Sequence, residues 1–455
     1  MERSEQLRNE SIGKLLVKFS LPAIMGMIVN ALYNVVDRMF IGNFVGTKAL
    51  SGLTSTFPIT CIIMAFGMLV GIGSAACISI KLGQDKKNEA EKILGNAFIL
   101  VIINSLVLTV LGLIFKEKLL LAFGSSKETL VYATDYTTII ILGIILQNTG
   151  FALNNIIRAE GNPKIAMFTM LIGGVLNIVL DYVFMSIFNL GIKGAAYATI
   201  ISQAVNSIWV LRYFLGNDAM LKLKKENFKL DSVLVKSIFA IGMSPFAMQI
   251  ASSLVTIIQN RALNSYGGYL AVGVIGAINS VTMMVFMPIF GINQGAQPII
   301  GYNYGAKQYK RVKKTLKLAI AGATTLCIIG FLVIQLLPKY MMIPFGSDPE
   351  FLKLGEHAIR IYCLMIPIIG FQIVSSNFFQ AIGKATKSMI LSLSRQVIIL
   401  IPLILMLPKF FKLDGVWIAA PVSDFLASLI AAVVLIRQIG KLNKEEKEFL
   451  MEKAE

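Results

Sequence analysis

Histidine is almost missing from this chain: there is one in 455 residues. Cysteine is scarce at four, and tryptophan stands at two. Charged residues make up 15 %, against roughly a quarter in an ordinary globular domain. Each shortage excludes something. One histidine, with no cluster of cysteine or carboxylate at ligand spacing, leaves no metal centre and no activated nucleophile to read, so the chain is not expected to be an enzyme. Cys61, Cys77, Cys327 and Cys363 all fall in apolar runs, which gives neither a disulfide framework nor a zinc spacing. A chain that is 56 % hydrophobic, with mean hydropathy +0.74, has too few charges to cover a soluble surface.

What is present is a series of twelve apolar runs. They lie near 15–41, 49–80, 89–115, 128–157, 164–188, 194–214, 233–264, 270–300, 312–337, 351–381, 388–407 and 414–436. About 20 such residues cross a bilayer as a helix. Lipid admits only helices or closed barrels, and barrel strands would be half as long and alternating. The expected class is therefore an all-α integral membrane protein with twelve transmembrane helices. The first fourteen residues are polar and mixed in charge, so no cleavable leader is read and the first apolar run is expected to act as the insertion signal.

The formal net charge of +17 is explained by topology rather than by nucleic acid. With the N-terminus inside, 28 of the 42 Lys and Arg fall in inner segments and 9 in outer loops. The other five, Lys18, Arg38, Arg261, Arg360 and Arg395, lie in or at the ends of helices. That bias sets both termini in the cytoplasm of a plasma-membrane protein.

The two halves resemble each other. SLPAIMGMIVNALYNVVDR (20–38) aligns with MSPFAMQIASSLVTIIQNR (243–261) at a shift of 223. GIGSAACISI (71–80) aligns with GINQGAQPII (291–300), and RAEGNPKIAM (158–167) with QAIGKATKSM (380–389), at 220 and 222. Three matches in order at nearly one shift indicate a duplicated six-helix unit. Six is even, so both units enter from the same side and the repeat is parallel. The expected layout is an N-lobe over 1–215, a basic cytoplasmic linker over 216–232, a C-lobe over 233–437 and a cytoplasmic tail over 438–455. Such duplication is typical of secondary transporters.

Polar groups inside apolar runs are costly and mark function. Asp181 is the one charge in the run 165–188. At 1.5 Å per residue it lies roughly 10 Å below the outer surface, with Asp37 and Thr199 roughly 8 Å down on two other helices. Asn177 stands one turn from Asp181 on the same face. Two carboxylates held together away from water cannot both stay ionised cheaply, so this level reads as a site for H⁺ or Na⁺. The competing reading has Asp37 paired with Arg38 and Asp181 hydrogen-bonded to Asn177. The second half has Gln259 and Asn260 in place of the helix 1 acid. Its own buried charges, Arg395 and Asp424, both fall near the midplane and read as a structural ion pair. Glu356 and Arg360 read as an i,i+4 pair, and His357 beside them as an unremarkable interfacial residue. The candidate substrate cavity is the Met- and amide-bearing face of Asn279, Met283, Met287, Gln294, Gln372 and Asn377, which suits lipophilic cations.

The stretches PAIMGMIVNALYNVVDRMFIG, KLGQDKKNEAEK, RAEGNPKIAM, LNIVLDYVF and QPIIGYNYGAK together resemble the multidrug and toxic compound extrusion (MATE) family, in its MepA-type bacterial branch, over about residues 11–440. The resemblance implies two six-helix lobes in a V and drug efflux driven by H⁺ or Na⁺. It implies a coupling-ion site at Asp37, Asn177, Asp181 and Thr199, the level reached above by counting rise. It implies no cofactor beyond the coupling ion, with cationic drugs and lipid as partners of a monomer. Another branch places acids on helix 7, where this chain has Gln259 and Asn260. A flippase of lipid-linked sugars is the alternative, and it would need several mid-membrane cations where only Arg395 qualifies.

Overall fold

The computed structural model describes residues 3–346 and 348–452. The first two residues of the expected N-lobe and the last three of the expected tail lie outside it. The described residues are helical throughout their ordered elements, with no strand.

Among the described residues, twelve long helices follow the apolar runs. The first six are α1 (Ile12–Phe40), α2 (Thr47–Gly83), α3 (Lys87–Ala122), α4 (Lys127–Leu142 and Ile144–Ala159, bent by 54°), α5 (Pro163–Tyr182) and α6 (Ile192–Leu215). The stretch Ser232–Gly305 is broken at Gly268, φ 67°, into α7 and α8. Next come α9 (Tyr309–Leu336) and α10 (Pro349–Tyr362 and Ile366–Ala381, bent by 50°). The eleventh, α11, runs Ala385–Leu393, turns π-helical over Ser394–Leu400 and ends at Ile401–Met406. The stretch Pro408–Glu452 breaks at Lys412, φ 51°, and α12 follows it. This last helix continues well past the apolar run, so the described part of the expected tail is helical too.

Local chemistry sets the ends. Ser126 caps α4 reciprocally with Thr129, and Asn162 caps α5 through Ile165 N–H, with Pro163 in the first turn where no N–H is missed. The duplication is visible in the backbone. Left-handed residues recur in pairs: Gly46 with Gly268, Asp85 with Lys307, Gly161 with Gly383, and Asn189 with Lys412. The first three pairs are 222 apart and the last 223. One extra residue therefore lies between Gly383 and Lys412. The seven-residue π segment of α11, against five residues after α5, takes it up.

The described chain packs as two compact units, and each takes part of a helix from the other half of the sequence. One holds 25–249 with the N-terminal residues up to Asn9, and the other holds Glu10–Ile24 with the residues from Ile250 on. In the first unit, Gly73 of α2 meets the Ile238 carbonyl and Gly242 of α7 meets the Leu69 carbonyl, with no room for a Cβ at either. In the second, Gly291 and Gly295 of α8 lie as closely against Ile24 and Ser20 of α1. Small residues are what allow such backbone approach in a membrane bundle.

The inner rim is tied down in both units. Glu91 of α3 accepts from Lys222 N–H at 3.2 Å and pairs with Lys224 Nζ at 2.6 Å. That carboxylate raises the Lys224 pKa above the usual lysine value. Buried Glu160 accepts from Leu221 N–H at 3.1 Å and from the Tyr213 hydroxyl. Adding 222 to Glu91 and Lys224 gives Lys313 and Glu446, which also pair, at 2.7 Å with the signs reversed. The linker in one unit and the helical tail in the other thus occupy matching positions.

Candidate functional site

The sequence places a carboxylate on the last α-helical turn of both α1 and α5. Asp37 precedes the end of α1 at Phe40, and Asp181 precedes the end of α5 at Tyr182. Each helix then widens into a π turn, Ile41–Val45 and Val183–Ile187, and the two π turns pack together. The rings of Phe40 and Tyr182 meet there at 6.3 Å, and Phe44 lies 5.7 Å from Phe40.

Asp181 is fully buried, and Asp37 and Asn177 are nearly so. The Asn177 amide points its nitrogen at Thr199 Oγ1 of α6, 3.5 Å away and at the limit of a hydrogen bond. Its Oδ1 has no partner. Neither does Oδ1 of Asp37, nor either oxygen of Asp181. Four buried acceptor oxygens on two helix ends are thus unsatisfied. Such groups are rare because each forfeits its hydration without compensation. The two carboxylates also act on each other through space. Both sit at helix C-termini, where the macrodipole is negative and disfavours anions. The unsatisfied oxygens and the helix ends together favour a cation here. An all-oxygen donor set of two carboxylates, an amide and a hydroxyl fits H⁺ or a hard cation such as Na⁺.

Arg38 does not answer that need. It is exposed and makes no ion pair with Asp37 among the described residues. Residues one apart point about 100° away from each other on a helix. Asp181, for its part, accepts no hydrogen bond from Asn177.

Two tyrosines belong to this group and were not singled out from the sequence. Tyr136 of α4 lies near Thr199 and within electrostatic reach of both carboxylates. Tyr33 of α1 reaches the same pair. Tyr33 stands one turn before Asp37, a spacing that could have found it. Nothing in the apolar run around Tyr136 marks it.

The other candidates fall in the second unit. Asn279 and Met283 are exposed, Met287, Gln294 and Asn377 are half-buried, and Gln372 is buried. Asn279, Met283 and Met287 follow one face of α8 at four-residue spacing. Asn377 donates to the Asn293 carbonyl at 3.2 Å, which joins α10 to α8. Arg395 of α11 meets Asp424 of α12 through its Nε at 2.5 Å. The i,i+4 pair expected between Glu356 and Arg360 does not form among the described residues. Exposed pairs are worth about 0–1 kcal/mol, too little to hold two long side chains. His357 instead meets Asp414 at 2.9 Å. No group of three or more His, Cys, Asp or Glu gathers at metal-binding spacing among the described residues.

Known proteins share this arrangement of the chain. The MatE family model matches residues 22–183 and 245–406, two stretches offset by 223. The multidrug export protein MepA of Staphylococcus haemolyticus (strain JCSC1435) is 28 % identical over 435 residues, covering 94 % of this chain and 96 % of that one. The protein of the same name from Staphylococcus aureus (strain MSSA476) is 24 % identical over 451 residues, covering 98 % and 99 %. Among solved structures, the MATE multidrug transporter DinF-BH superposes with a TM-score of 0.90 at 41 % identity, covering 96 % of this chain and 98 % of that one.

Proposed function

The chain belongs to the MatE family, and from that premise we propose that it is a secondary active multidrug efflux transporter, an antiporter that exports lipophilic organic cations in exchange for H⁺ or Na⁺. The observation that carries the coupling half of this reading is the set of four unpartnered buried oxygens on Asp37, Asn177 and Asp181.

When the site holds no cation, its two carboxylates repel. Like charges 4–8 Å apart repel by about 2–4 kcal/mol at an effective dielectric near 20. A proton or Na⁺ removes that repulsion, so the ends of α1 and α5 favour one packing when occupied and another when empty. A gap of about 3 kcal/mol moves a two-state population by more than a hundredfold, enough to drive a conformational cycle. Asn177, Thr199 and the Tyr136 hydroxyl orient the donor set. Burial of both carboxylates excludes the water that would otherwise screen them.

The coupling cation favours one packing and the substrate the other, so each weakens the other's binding, and that reciprocal coupling is what makes the process an exchange. The substrate cavity is assigned to the face of Asn279, Met283, Met287, Gln294, Gln372 and Asn377. Thioether and amide side chains there adapt to varied shapes. The protein works as a monomer in the bacterial plasma membrane, with both termini cytoplasmic.

The test is efflux of a fluorescent organic cation from membrane vesicles, first under an imposed pH gradient and then under a Na⁺ gradient. One of the two gradients should drive accumulation against concentration. Transport that ignores both, or flipping of a lipid-linked sugar in its place, would overturn the proposal.

A further inference from the structure

The inner rim of the second unit gathers hydrogen-bond donors in excess of acceptors. The start of α11 is the first of them. In the first half, Asn162 caps α5 by accepting from Ile165 N–H at 3.4 Å. Counted from the matching left-handed glycines, Gly161 and Gly383, Asn162 falls on Lys384 and Ile165 on Lys387. A lysine ammonium donates and cannot accept. Lys384 therefore stands at the N-cap of α11 without a side-chain cap. The first turn of α11 keeps its N–H groups and the positive end of its dipole available to an anion.

Side chains around that turn add to the imbalance. Lys387 donates to Gln438 Oε1 of α12 at 2.8 Å, and its Nζ lies 5.5 Å over the Phe379 ring. Gln438 is fully buried, and Nε2 of the same amide has no partner among the described residues. A buried donor left so forfeits its hydration without compensation. Lys441 of α12 stands close enough to repel both Lys384 and Lys387. Burial holds the Lys384 pKa below the usual lysine value; Glu445 pulls the other way, and Lys387 and Lys441 add to the lowering. Glu445 is itself shared with Tyr304 and Tyr309. Lysines beside an uncapped helix N-terminus are what a phosphate group binds.

The level of the cluster names the source. Lys384 follows the apolar run 351–381, Lys387 precedes 388–407, and Gln438 follows 414–436. All three helices leave the hydrocarbon here, on the side where the basic segments gather and lipid headgroups lie. On the membrane side of the cluster, Ile390, Val433 and Ile436 are exposed, an apolar surface for acyl chains. We propose that Lys384, Lys387, Lys441 and the first turn of α11 bind a phosphate group carried by an anionic lipid of the cytoplasmic leaflet. The phosphate accepts from the α11 N–H groups and from the lysines, and its charge offsets the repulsion among them. It joins the start of α11 to the inner end of α12.

The test is native mass spectrometry of the purified full-length protein in a neutral detergent, titrated with dioctanoyl phosphatidylglycerol or, as the zwitterionic arm, dioctanoyl phosphatidylcholine. Inorganic phosphate, added as a competitor, is the soluble arm. Phosphatidylglycerol should bind wild type at least about fivefold tighter than phosphatidylcholine. Lys384→Asn, which installs the cap of the first half, and Lys441→Gln should each weaken phosphatidylglycerol binding by about fivefold, and the double variant by about twentyfold. Lys447→Gln, further along the tail, should stay within about twofold of wild type. Should Lys384→Asn fail to fold, Lys441→Gln against Lys447→Gln decides. No preference for phosphatidylglycerol, or a loss in Lys447→Gln equal to that in the cluster variants, overturns the site. Phosphatidylglycerol binding within about twofold of wild type in the cluster variants does the same. Inorganic phosphate that displaces the lipid at equal concentration overturns the lipid source. None of these readouts depends on efflux, so the inference stands or falls apart from the transport reading.

Discussion

The two halves share a backbone and differ in how they treat buried charge. In the first half, Asn177 meets Thr199, and buried oxygens of Asp37, Asn177 and Asp181 are unsatisfied. At a shift of 223 the second half has Asn260, Leu400, Ile404 and Val422. Leu400 and Ile404 are buried there with Val255 and Ala419 in a small apolar cluster. Where the first half holds an uncompensated acid pocket, the second packs hydrocarbon, and the charge it does bury is paired as Arg395 with Asp424. Duplication supplied one scaffold twice. Function can then be assigned by asking which copy keeps an energetic debt that packing alone would have removed.

That contrast can be broken from either side. The largest effect on folding is expected from Arg395→Ala, which leaves Asp424 buried and alone. Stranding one partner of a buried pair typically costs about 3–5 kcal/mol. Folded yield, read by fluorescence-detected size exclusion, should collapse and should partly recover in Arg395→Gln/Asp424→Asn. Normal yield in the single variant would mean that the pair carries no structural burden.

The opposite outcome is expected in the first half. Asp181→Leu copies the second half's solution and removes an unsatisfied buried charge, so it should stabilise the protein by about 1–3 kcal/mol. A thermal unfolding scan in detergent should show a higher midpoint, and ion-driven efflux should be lost. A protein destabilised by this change would show that Asp181 is satisfied in the fold and has no need of a cation.

The smallest effect concerns the rims, where the same pair appears with its signs exchanged. Glu91→Gln weakens the buried acceptor of Lys222 N–H and Lys224, and Glu446→Gln the half-buried partner of Lys313. Each should speed limited proteolysis of its segment, the 216–231 linker or the helical tail, by about two- to fivefold. The raised Lys224 pKa means that the linker contact is fully present below the ordinary lysine range and lost as pH rises through the higher folded value. Protection of the linker should therefore hold from neutral pH into the mildly alkaline range.

Much of this was legible before any coordinates. Long apolar runs must be helices in lipid, so element number and type follow from hydropathy. Asp37, Asn177, Asp181 and Thr199 were marked because intramembrane polar groups are costly and rise per residue gives their depth. Three features were not legible. Tyr136 joins the site only through tertiary packing of α4, and a tyrosine in an apolar run carries no signal of its own. The exchange of the first parts of α1 and α7 between units follows from what Gly73, Gly242, Gly291 and Gly295 touch, whereas sequence shows only that they are small. Glu91 and Glu160 carry no mark in the sequence, yet both are buried and accept from linker N–H groups.

The central claim is that the first half's acid pocket carries the coupling ion. It is tested most directly in proteoliposomes loaded with a fluorescent cationic ester, by measuring efflux with and without an imposed H⁺ or Na⁺ gradient. The account predicts that Asp37→Asn and Asp181→Asn, inserted normally and still binding the dye, lose the response to the gradient. It also predicts that Arg395→Gln/Asp424→Asn keeps a gradient response. A wild-type response in Asp181→Asn, or loss of the response in the second-half variant alone, would contradict it.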